Sequence, residues 1–410
     1  MSSPDPYLHR YAARARGMTA SEIRALFAVA SRPEIISLAG GNPDVTVLDF
    51  DEVAAVAAEV LSTRGATALL YGGGQGLPEM REQLTTVLAA EGIHARAEDL
   101  VVTTGGQQAL DLLARLFIDR GDVIVAEGPT YVGALSAFSQ YEPRVVHVPM
   151  DEHGVIPEAM AQTLDRLQAA GTRPKMIYTI PNHQNPAGVS LSHERRHEIL
   201  RLAETHDVMV IEDNPYGLLD FKHETRTPLV TLAPERVIYV GTLSKIFAPG
   251  VRTGWVLAPR AVRDKLVQLK EASDLCQSNV TQTIAEAWLR TQPWTQHVRA
   301  FTELYRERCD QMLSEIEVSF PSEAQVATPT GGMFTWVRLP APIDTGAMLP
   351  RALNARVAYV PGRGFYADGG GQHEMRLNFS YANSERIREG IRRLGKLIND
   401  ELSLLHAFGR

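Results

Sequence analysis

Short apolar segments alternate with helical segments through the middle of this 410-residue chain. Short uninterrupted apolar runs are typical of strands that are buried on both faces. The runs are 100–103, 123–126, 145–148, 176–179, 208–211, 237–240 and 255–257. Segments such as 107–117 and 192–205 lie between them and have the spacing of helices. The alternation predicts an α/β fold in which a mostly parallel sheet forms the middle of three layers.

The pattern changes after about residue 320, where we expect a smaller α+β unit. Residues 333–337 and 375–379 have the composition of strands, and 384–404 has the spacing of a closing helix. A chain of this length is long enough to form two domains.

We therefore divide the chain into three parts. They are an N-terminal arm with a substrate-side helix (1–50), a large domain (51–315) and a small C-terminal domain (316–410). The substrate-side helix is expected at 19–31, where apolar residues fall on one face. Part of the arm is expected to pack with the small domain.

Charge and cysteine content exclude several classes of protein. A net charge of −7 gives no indication of the positively charged surface that binds nucleic acid. The two cysteines, Cys276 and Cys309, lack the spacing of a zinc site and favour a reducing compartment over a disulfide framework. No apolar run is long enough to span a membrane, and the N-terminus lacks the apolar core of a signal peptide. We expect a cytoplasmic protein with no metal, membrane or nucleic-acid partner.

Chemically useful side chains follow the run at 237–240. Thr242, Ser244, Lys245 and Arg252 come within the next twelve residues. A lysine that loses its proton can form a Schiff base with an aldehyde, and hydroxyls with an arginine can bind a phosphate. Asp213 ends a second apolar run, where it needs a cationic partner. That partner is a protonated ring nitrogen or a structural arginine, and the first alternative predicts a pyridoxal phosphate (PLP) site.

Other strand ends carry further candidates, because ligands of such sheets bind at the carboxyl ends of the strands. Gly106 and Gln107 open a helix whose free N–H groups could bind the phosphate. Tyr131 could stack on a flat ring, and the amide of Asn185 could bond a phenolic oxygen. Arg376, on a small-domain strand, could hold a carboxylate with both arms of its guanidinium. Each signal is weak alone, and the prediction rests on their order and joint placement.

This ordered set resembles the fold-type I PLP-dependent aminotransferases of class I/II, most closely the 2-aminoadipate/kynurenine aminotransferase branch. The similarity runs from about Arg14 to Leu397 and includes Ser-Leu-Ala-Gly-Gly-Asn-Pro at 37–43 and Gly-Gly-Met-Phe at 331–334. It implies a PLP transferase type I fold and pyridoxal 5'-phosphate as the cofactor. It also implies ping-pong transfer of an amino group between an L-amino acid and a 2-oxo acid.

The resemblance also implies a role for each site residue. The catalytic set is Lys245, which would form the Schiff base, with Asp213 at the pyridine nitrogen and Tyr131 stacked on the ring. Asn185 and Tyr216 would bind the ring phenolate. The phosphate would be surrounded by Gly106, Gln107, Thr242, Ser244 and Arg252. Substrate binding is implied for Arg376, which would hold the α-carboxylate, and for Asn185, Gly40 and Arg24.

Two positions carry further implications of the resemblance. Tyr71 matches a family tyrosine that reaches a phosphate in the neighbouring subunit, which implies a homodimer with shared active sites. Many relatives have serine where Gly106 stands, so the phosphate here loses one hydroxyl and the cofactor should be retained modestly less well.

The substrate is less well specified. Arg24 aligns with an arginine that binds a distal carboxylate in aminoadipate-type relatives, and a surface or dimer-interface ion pair is the alternative. If Arg24 binds a distal carboxylate, 2-oxoglutarate/glutamate is one substrate pair. The other is 2-aminoadipate, an aromatic amino acid or a branched-chain amino acid.

Two other functions remain open. The first is another PLP reaction on the same fold, such as decarboxylation, β-elimination or C–C bond formation, which would use the same cofactor residues. If Arg376 holds the substrate carboxylate, loss of that carboxylate by decarboxylation is disfavoured. The second is an effector-sensing domain of a transcription regulator. We expect such a regulator to carry a helix-turn-helix domain before the resemblance, for which the residues before Arg14 leave too little chain.

Overall fold

The computed structural model describes residues 5–16, 26, 28, 30 and 32–407. Arg24 and most of the helix predicted at 19–31 lie outside the described residues. The strands of the described part are β1 Ile36–Ser37, β2 Leu100–Thr103, β3 Val123–Gly128, β4 Arg144–Asp151, β5 Gly154–Val155, β6 Met176–Thr179, β7 Met209–Asp213, β8 Val237–Thr242, β9 Gly254–Leu257, β10 Gln325–Val326, β11 Phe334–Arg338, β12 Val357–Ala358, β13 Val360–Pro361 and β14 Glu374–Asn378. Every predicted strand is therefore present, with ends shifted by at most three residues.

Helices surround and connect these strands. The α-helices of the described part are α1 Ala13–Arg16, α2 Phe50–Ala68, α3 Pro78–Ala90, α4 Gly105–Phe117, α5 Val132–Ser139, α6 Pro157–Ala169, α7 His193–Thr205, α8 Leu229–Leu232, α9 Arg260–Asp274, α10 Asn279–Thr291, α11 Trp294–Ser319, α12 Thr345–Asn354 and α13 Ser384–Ala407. Short 3₁₀ turns occur at Leu8–Arg10, Val45–Val47, Ala97–Asp99, Pro249–Val251 and Gly362–Phe365.

Among the described residues, the larger sheet has eight strands in the order β2-β9-β8-β7-β6-β3-β4-β5. From β4 through β3, β6 and β7 to β8, each strand pairs in parallel with the next, and β5 is antiparallel to β4. Strand β9 is antiparallel to both β8 and β2, so the sheet is mixed with a parallel centre. Of its central strands, β6 is buried along its whole length, and β3, β7 and β8 are each buried at all but one residue, as runs without polar alternation predict.

The parallel strands bring their carboxyl ends to one edge of this sheet. The register pairs Asp213 at the end of β7 with Val240 near the end of β8. Strands β3 and β6 end beside them, at Gly128 and Thr179. The residues that follow these strands therefore surround one region, which is where an α/β sheet binds its ligand.

A smaller antiparallel sheet, in the order β10-β11-β14-β13, carries Arg376 opposite Trp336. The N-terminal arm joins this unit, because β1 pairs in parallel with β12 and the amide of Asn378 donates to the carbonyl of Leu38 at 2.8 Å. Arg376 and the glycines after Leu38 are thereby held side by side.

Helix α13 packs along α11, and its buried face contains Ile387, Ile391, Leu394 and Ile398, as the spacing predicts. Within the described part of the chain, no helix combines the length and the apolar composition that a membrane crossing requires.

Candidate active site

A cavity of about 550 Å³ lies between the carboxyl edge of the larger sheet and the smaller sheet. This size is typical of a site for a small organic ligand. Most of the residues that the sequence predicts for the site line this cavity. They are Gly106, Gln107, Tyr131, Asn185, Asp213, Tyr216, Thr242, Ser244, Lys245, Arg252 and Arg376.

Three predicted site residues lie elsewhere or outside the described chain. Gly40 borders the site through its carbonyl, which accepts a hydrogen bond from Arg376 Nη2 at 3.3 Å. Tyr71 does not line the cavity of its own chain, and its side chain is 84% exposed. Arg24 lies outside the described residues.

Lys245 follows the end of β8 by three residues, and its amine points at the arm. Its Nζ donates a hydrogen bond to the carbonyl of Gly41 at 2.7 Å. Burial, together with the positive charges of Arg376 and Arg252, lowers the pKa of Lys245 to about 8. A substantial fraction of this amine is therefore neutral, and able to attack a carbonyl, at physiological pH.

Asp213 reaches the cavity from the end of β7. Its Oδ2 accepts a hydrogen bond from the hydroxyl of Tyr178 at 2.6 Å. Burial raises the pKa of Asp213 to about 6, and the bond from Tyr178 opposes that rise. The carboxylate is thus mostly ionised near neutrality and suited to a cationic partner.

Hydroxyl and amide groups at the start of α4 and the end of β8 form an anion cradle. Thr242 Oγ1 lies 2.9 Å from Ser244 Oγ and accepts the Ser244 amide at 3.1 Å. Gly106 is in the first turn of α4, where main-chain N–H groups have no intrahelical acceptor. Such groups are the usual protein ligands of a phosphate.

Arg252 completes the cradle because a glycine makes room for it. Arg252 Nη2 donates to the carbonyl of Thr104 at 3.3 Å. A Cβ on Gly105, whose φ is +73°, would lie 2.6 Å from this Nη2. By contrast, a Cβ on Gly106 would meet only Val240 Cγ1, at 3.9 Å, so the cradle has space for a side chain there.

Tyr131 lies at the start of α5 and lines the cavity. Burial and the charge of Asp213 raise its pKa, so the phenol stays neutral. Gln107 Nε2 donates to the carbonyl of Gly133 at 2.8 Å, which ties α4 to this segment. A side chain on Gly133 would overlap the Tyr131 ring, so glycine allows the ring its present position.

A group of three hydrogen-bonded residues also lines the cavity: Asn185, Tyr216 and Arg376. Asn185 Nδ2 donates to the hydroxyl of Tyr216 at 3.3 Å, and its Oδ1 accepts from Arg376 Nη1 at 2.9 Å. One amide therefore links the phenol to the guanidinium that we expect to bind substrate.

The guanidinium of Arg376 is fixed by aromatic rings and a backbone carbonyl. It lies 4.1 Å from the ring centre of Phe334 and 5.2 Å from that of Phe365, and Nη2 donates to the carbonyl of Ala39 at 2.7 Å. Burial lowers its pKa to about 10, so the group remains cationic. Its buried Nε has no partner among the described residues, which leaves a donor for a ligand.

Sequence reasoning missed Tyr178, Phe334 and Phe365 as neighbours of the site. Phe334 and Phe365 look like ordinary core residues. Tyr178 carried a weak signal, since a buried tyrosine hydroxyl needs a partner and it occurs within an apolar run. Which partner it finds depends on strand order, which the sequence does not provide.

The donor set fits pyridoxal phosphate. The cradle offers hydroxyls, amides and a guanidinium to a phosphate, and Asp213 offers a carboxylate to a ring nitrogen. Lys245 offers an amine of lowered pKa to an aldehyde. The free Nε of Arg376 leaves one further anion site in the cavity for a substrate carboxylate.

Comparisons with known proteins agree with this chemistry. The sequence profile of the family "Aminotransferase class I and II" matches residues 33–394. Aromatic-amino-acid aminotransferase 1 of Thermococcus litoralis is 41% identical, with coverage of 97% of this chain and 95% of the relative. The 2-aminoadipate transaminase of Thermus thermophilus is 35% identical, with coverage of 94% and 96%. A structure of Pyrococcus horikoshii kynurenine aminotransferase with PMP has a TM-score of 0.92 and 38% identity, covering 96% of this chain and 98% of that one.

Proposed function

Because the chain belongs to the class I and II aminotransferases, we propose roles for its own residues in PLP-dependent transamination. The family reaction moves an amino group between an amino acid and a 2-oxo acid. The observation that carries the assignment of residues is the meeting of Lys245, Asp213 and Arg376 in one cavity. When bound, PLP supplies the carbonyl that takes up the amino group and the ring that accepts the electrons of a broken Cα bond.

Lys245 is the proposed nucleophile and base. Its neutral Nζ would bind the cofactor at its aldehyde carbon and, when free of the cofactor, would take up the proton from the substrate Cα. Asp213 would hold a proton at the ring nitrogen through its carboxylate. Tyr131 would stack on the ring, and Tyr216 with Asn185 would bind the ring oxygen.

Arg376 is the proposed receptor of the substrate α-carboxylate. Its guanidinium is a planar fork of charged donors, and its Nε has no partner among the described residues, which leaves a donor for a carboxylate. Asn185 and the two phenylalanine rings hold this fork in place. Thr242, Ser244 and Arg252 bind the cofactor phosphate, with the amides of Gly106 and Gln107.

We propose glutamate/2-oxoglutarate as one substrate pair, with 2-aminoadipate, an aromatic or a branched-chain amino acid as the other donor. Lys245, Arg252 and Arg376 are the cations of the described cavity wall. All three have roles at the cofactor or the α-carboxylate, so the distal carboxylate of glutamate is assigned to Arg24. Leu110, Val132 and Phe334 on the same wall suit an apolar side chain.

Arg24→Ala tests this assignment with two donors. The KM for glutamate should rise about tenfold or more, because a charged hydrogen bond is lost. The KM for phenylalanine should change little. Arg16→Ala is the matched control, since Arg16 is an exposed arginine of the same arm that bonds the carbonyl of Tyr11. An unchanged glutamate KM in Arg24→Ala would remove Arg24 from the substrate site.

We propose that the enzyme is a homodimer in which Tyr71 of each subunit completes the partner's phosphate site. Tyr71 and its neighbours Leu69 and Leu70 are strongly exposed in the single chain. Contiguous exposed apolar side chains are a feature of subunit interfaces. The free cysteines Cys276 and Cys309 support a cytoplasmic location, which cell fractionation would test.

A further inference from the structure

Tyr178 is the hydrogen-bond donor to Asp213 among the described residues. The hydroxyl lies 2.6 Å from Asp213 Oδ2, and both side chains are buried. Oδ1 of Asp213 has no hydrogen-bond partner in the described part of the chain, and Asp213 lines the cavity. The tyrosine thus occupies one carboxylate oxygen and leaves the other for a ligand.

The sheet fixes this contact. Strands β6 and β7 are parallel, and the register pairs Tyr178 with Ile211. Asp213 is two residues beyond Ile211 and therefore on the same face of the sheet. The ring of Phe138 packs edge-on against Tyr178, with ring centres 5.4 Å apart, and so restricts its rotation. Strand pairing and packing together hold the hydroxyl in place.

Other titratable groups face this pair from neighbouring elements. Glu127, at the end of β3, is bonded by Thr179, by the amide of Ile180 and by Gln184, and not by Asp213. Tyr131 and Tyr216 face the carboxylate from the cavity wall. Tyr178 is the group whose bond directly favours the ionised form of Asp213, against the effect of burial.

We propose that Tyr178 is a positioning residue that keeps Asp213 ionised and directs Oδ1 at the ring nitrogen of the cofactor. The inference rests on the proposed role of Asp213. Loss of the hydroxyl leaves a buried, unpartnered carboxylate oxygen, which favours the protonated acid. A protonated Asp213 no longer stabilises a positive ring nitrogen.

The test compares Tyr178→Phe with Tyr239→Phe in the holoenzyme. Tyr239 is the matched control, because it is a fully buried tyrosine on strand β8 of the same sheet whose hydroxyl bonds a different buried carboxyl group, that of Glu91. Glu91 does not line the cavity. Both variants remove one hydroxyl from one buried acid, so a purely structural role predicts similar effects.

Two readouts distinguish the variants. PLP binding should be about tenfold weaker in Tyr178→Phe, as expected for a lost bond to a charged group, and nearly unchanged in Tyr239→Phe. The pH midpoint of the visible band of the bound cofactor should rise only in Tyr178→Phe. A proton on the ring nitrogen favours loss of the proton from the nearby Lys245 nitrogen. Loss of the ring proton therefore raises the pH midpoint of the band.

Asp213→Asn separates failure of the inference from failure of the proposed function. If Asp213→Asn leaves PLP affinity and the band unchanged, the role of Asp213 is wrong. If Asp213→Asn has the expected effect, Tyr178→Phe should add little in that background, because both act on one interaction. Additive effects, or equal effects of Tyr178→Phe and Tyr239→Phe, overturn the inference.

A second variant covers the case in which Tyr178→Phe does not fold. Phe138→Leu removes the edge contact with the tyrosine ring and keeps the hydroxyl. It should shift the band midpoint in the same direction by a smaller amount. A folded Phe138→Leu protein with an unchanged midpoint and unchanged PLP affinity would count against the inference.

Discussion

Lys245, Arg252 and Arg376 lie on the described wall of the cavity, and their surroundings suit Lys245 and Arg376 to different roles. Lys245 is next to two positive guanidinium groups in a buried region, so its amine loses its proton near pH 8. Arg376 is as strongly desolvated and still remains cationic, because its pKa falls only to about 10. One residue can therefore act as a base while the other binds anions.

The lowered pKa of Lys245 predicts how the apoprotein reacts with PLP. Only the neutral amine attacks an aldehyde, so the rate of incorporation should rise with pH, with a midpoint at about 8. Arg376→Gln removes a neighbouring positive charge and should move this midpoint upward. Stopped-flow absorbance between pH 6 and 10 measures both. A midpoint near that of an ordinary lysine in the unsubstituted protein would contradict the account.

Arg376→Lys tests the receptor of the α-carboxylate. A lysine keeps the charge and loses the fork, so the KM of every amino-acid donor should rise by about tenfold to a hundredfold. PLP affinity should change little. Arg338→Lys is the control, because Arg338 lies on the neighbouring strand β11 and bonds Glu374 outside the cavity. Equal effects of the two substitutions would exclude a specific role for Arg376.

At the scale of elements, we propose that the junction between β2 and α4 holds the cofactor phosphate. The first two residues of the helix are glycines in different environments. Gly105 has a positive φ and is in contact with Arg252, whereas Gly106 has open space beside it. A change at one position should therefore have the opposite effect to the same change at the other.

Gly106→Ser should strengthen the retention of PLP. Its Cβ would make only an ordinary contact with Val240, and the hydroxyl adds a phosphate ligand, so PLP dissociation should slow about threefold to tenfold. Gly105→Ser should accelerate dissociation for two reasons. Its Cβ would displace the Arg252 guanidinium, and the positive φ at residue 105 would strain the serine backbone. The rate of PLP release to a trap measures both. Faster release from Gly106→Ser would show that the cradle has no space for the hydroxyl.

The sequence predicts the elements that build the cavity better than it predicts their contacts. The buried central strands β3, β6, β7 and β8 are visible as apolar runs, and Lys245, Asp213 and Asn185 follow from their strand-end positions. The antiparallel direction of β9 is not visible, because direction depends on the path of the connecting chain. The contact of Tyr178 with Asp213 depends on register, which a single run of residues does not encode.

At the scale of the whole molecule, the cavity is closed by two units of the chain, and we propose that a second subunit completes it. The smaller sheet supplies Arg376, and the larger sheet supplies Lys245 and Asp213. Helix α11 crosses the proposed domain boundary near residue 315, and we propose that it links the two units. The exposed Tyr71 is the residue through which the partner would act.

Mixing two inactive or weakened variants tests the shared site. Lys245→Ala subunits lack the proposed nucleophile, and Tyr71→Phe subunits lack the proposed cross-subunit phosphate ligand. A mixed dimer contains one site with both residues intact, so PLP affinity in the mixture should approach the unsubstituted value at that site. Subunit exchange followed by PLP titration measures this recovery. A mixture that behaves as the sum of its components would contradict a shared site.

The most direct test of the central claim is to reduce the holoenzyme with borohydride and locate the attached cofactor by peptide mass spectrometry. The measurement is made before and after adding single amino acids without a 2-oxo acid. We predict that the adduct is on Lys245 before addition, and that glutamate largely removes it because the amino group transfer frees the lysine. An adduct on another lysine, or one on Lys245 that persists with every amino acid, would contradict the assignment of Lys245 to transamination.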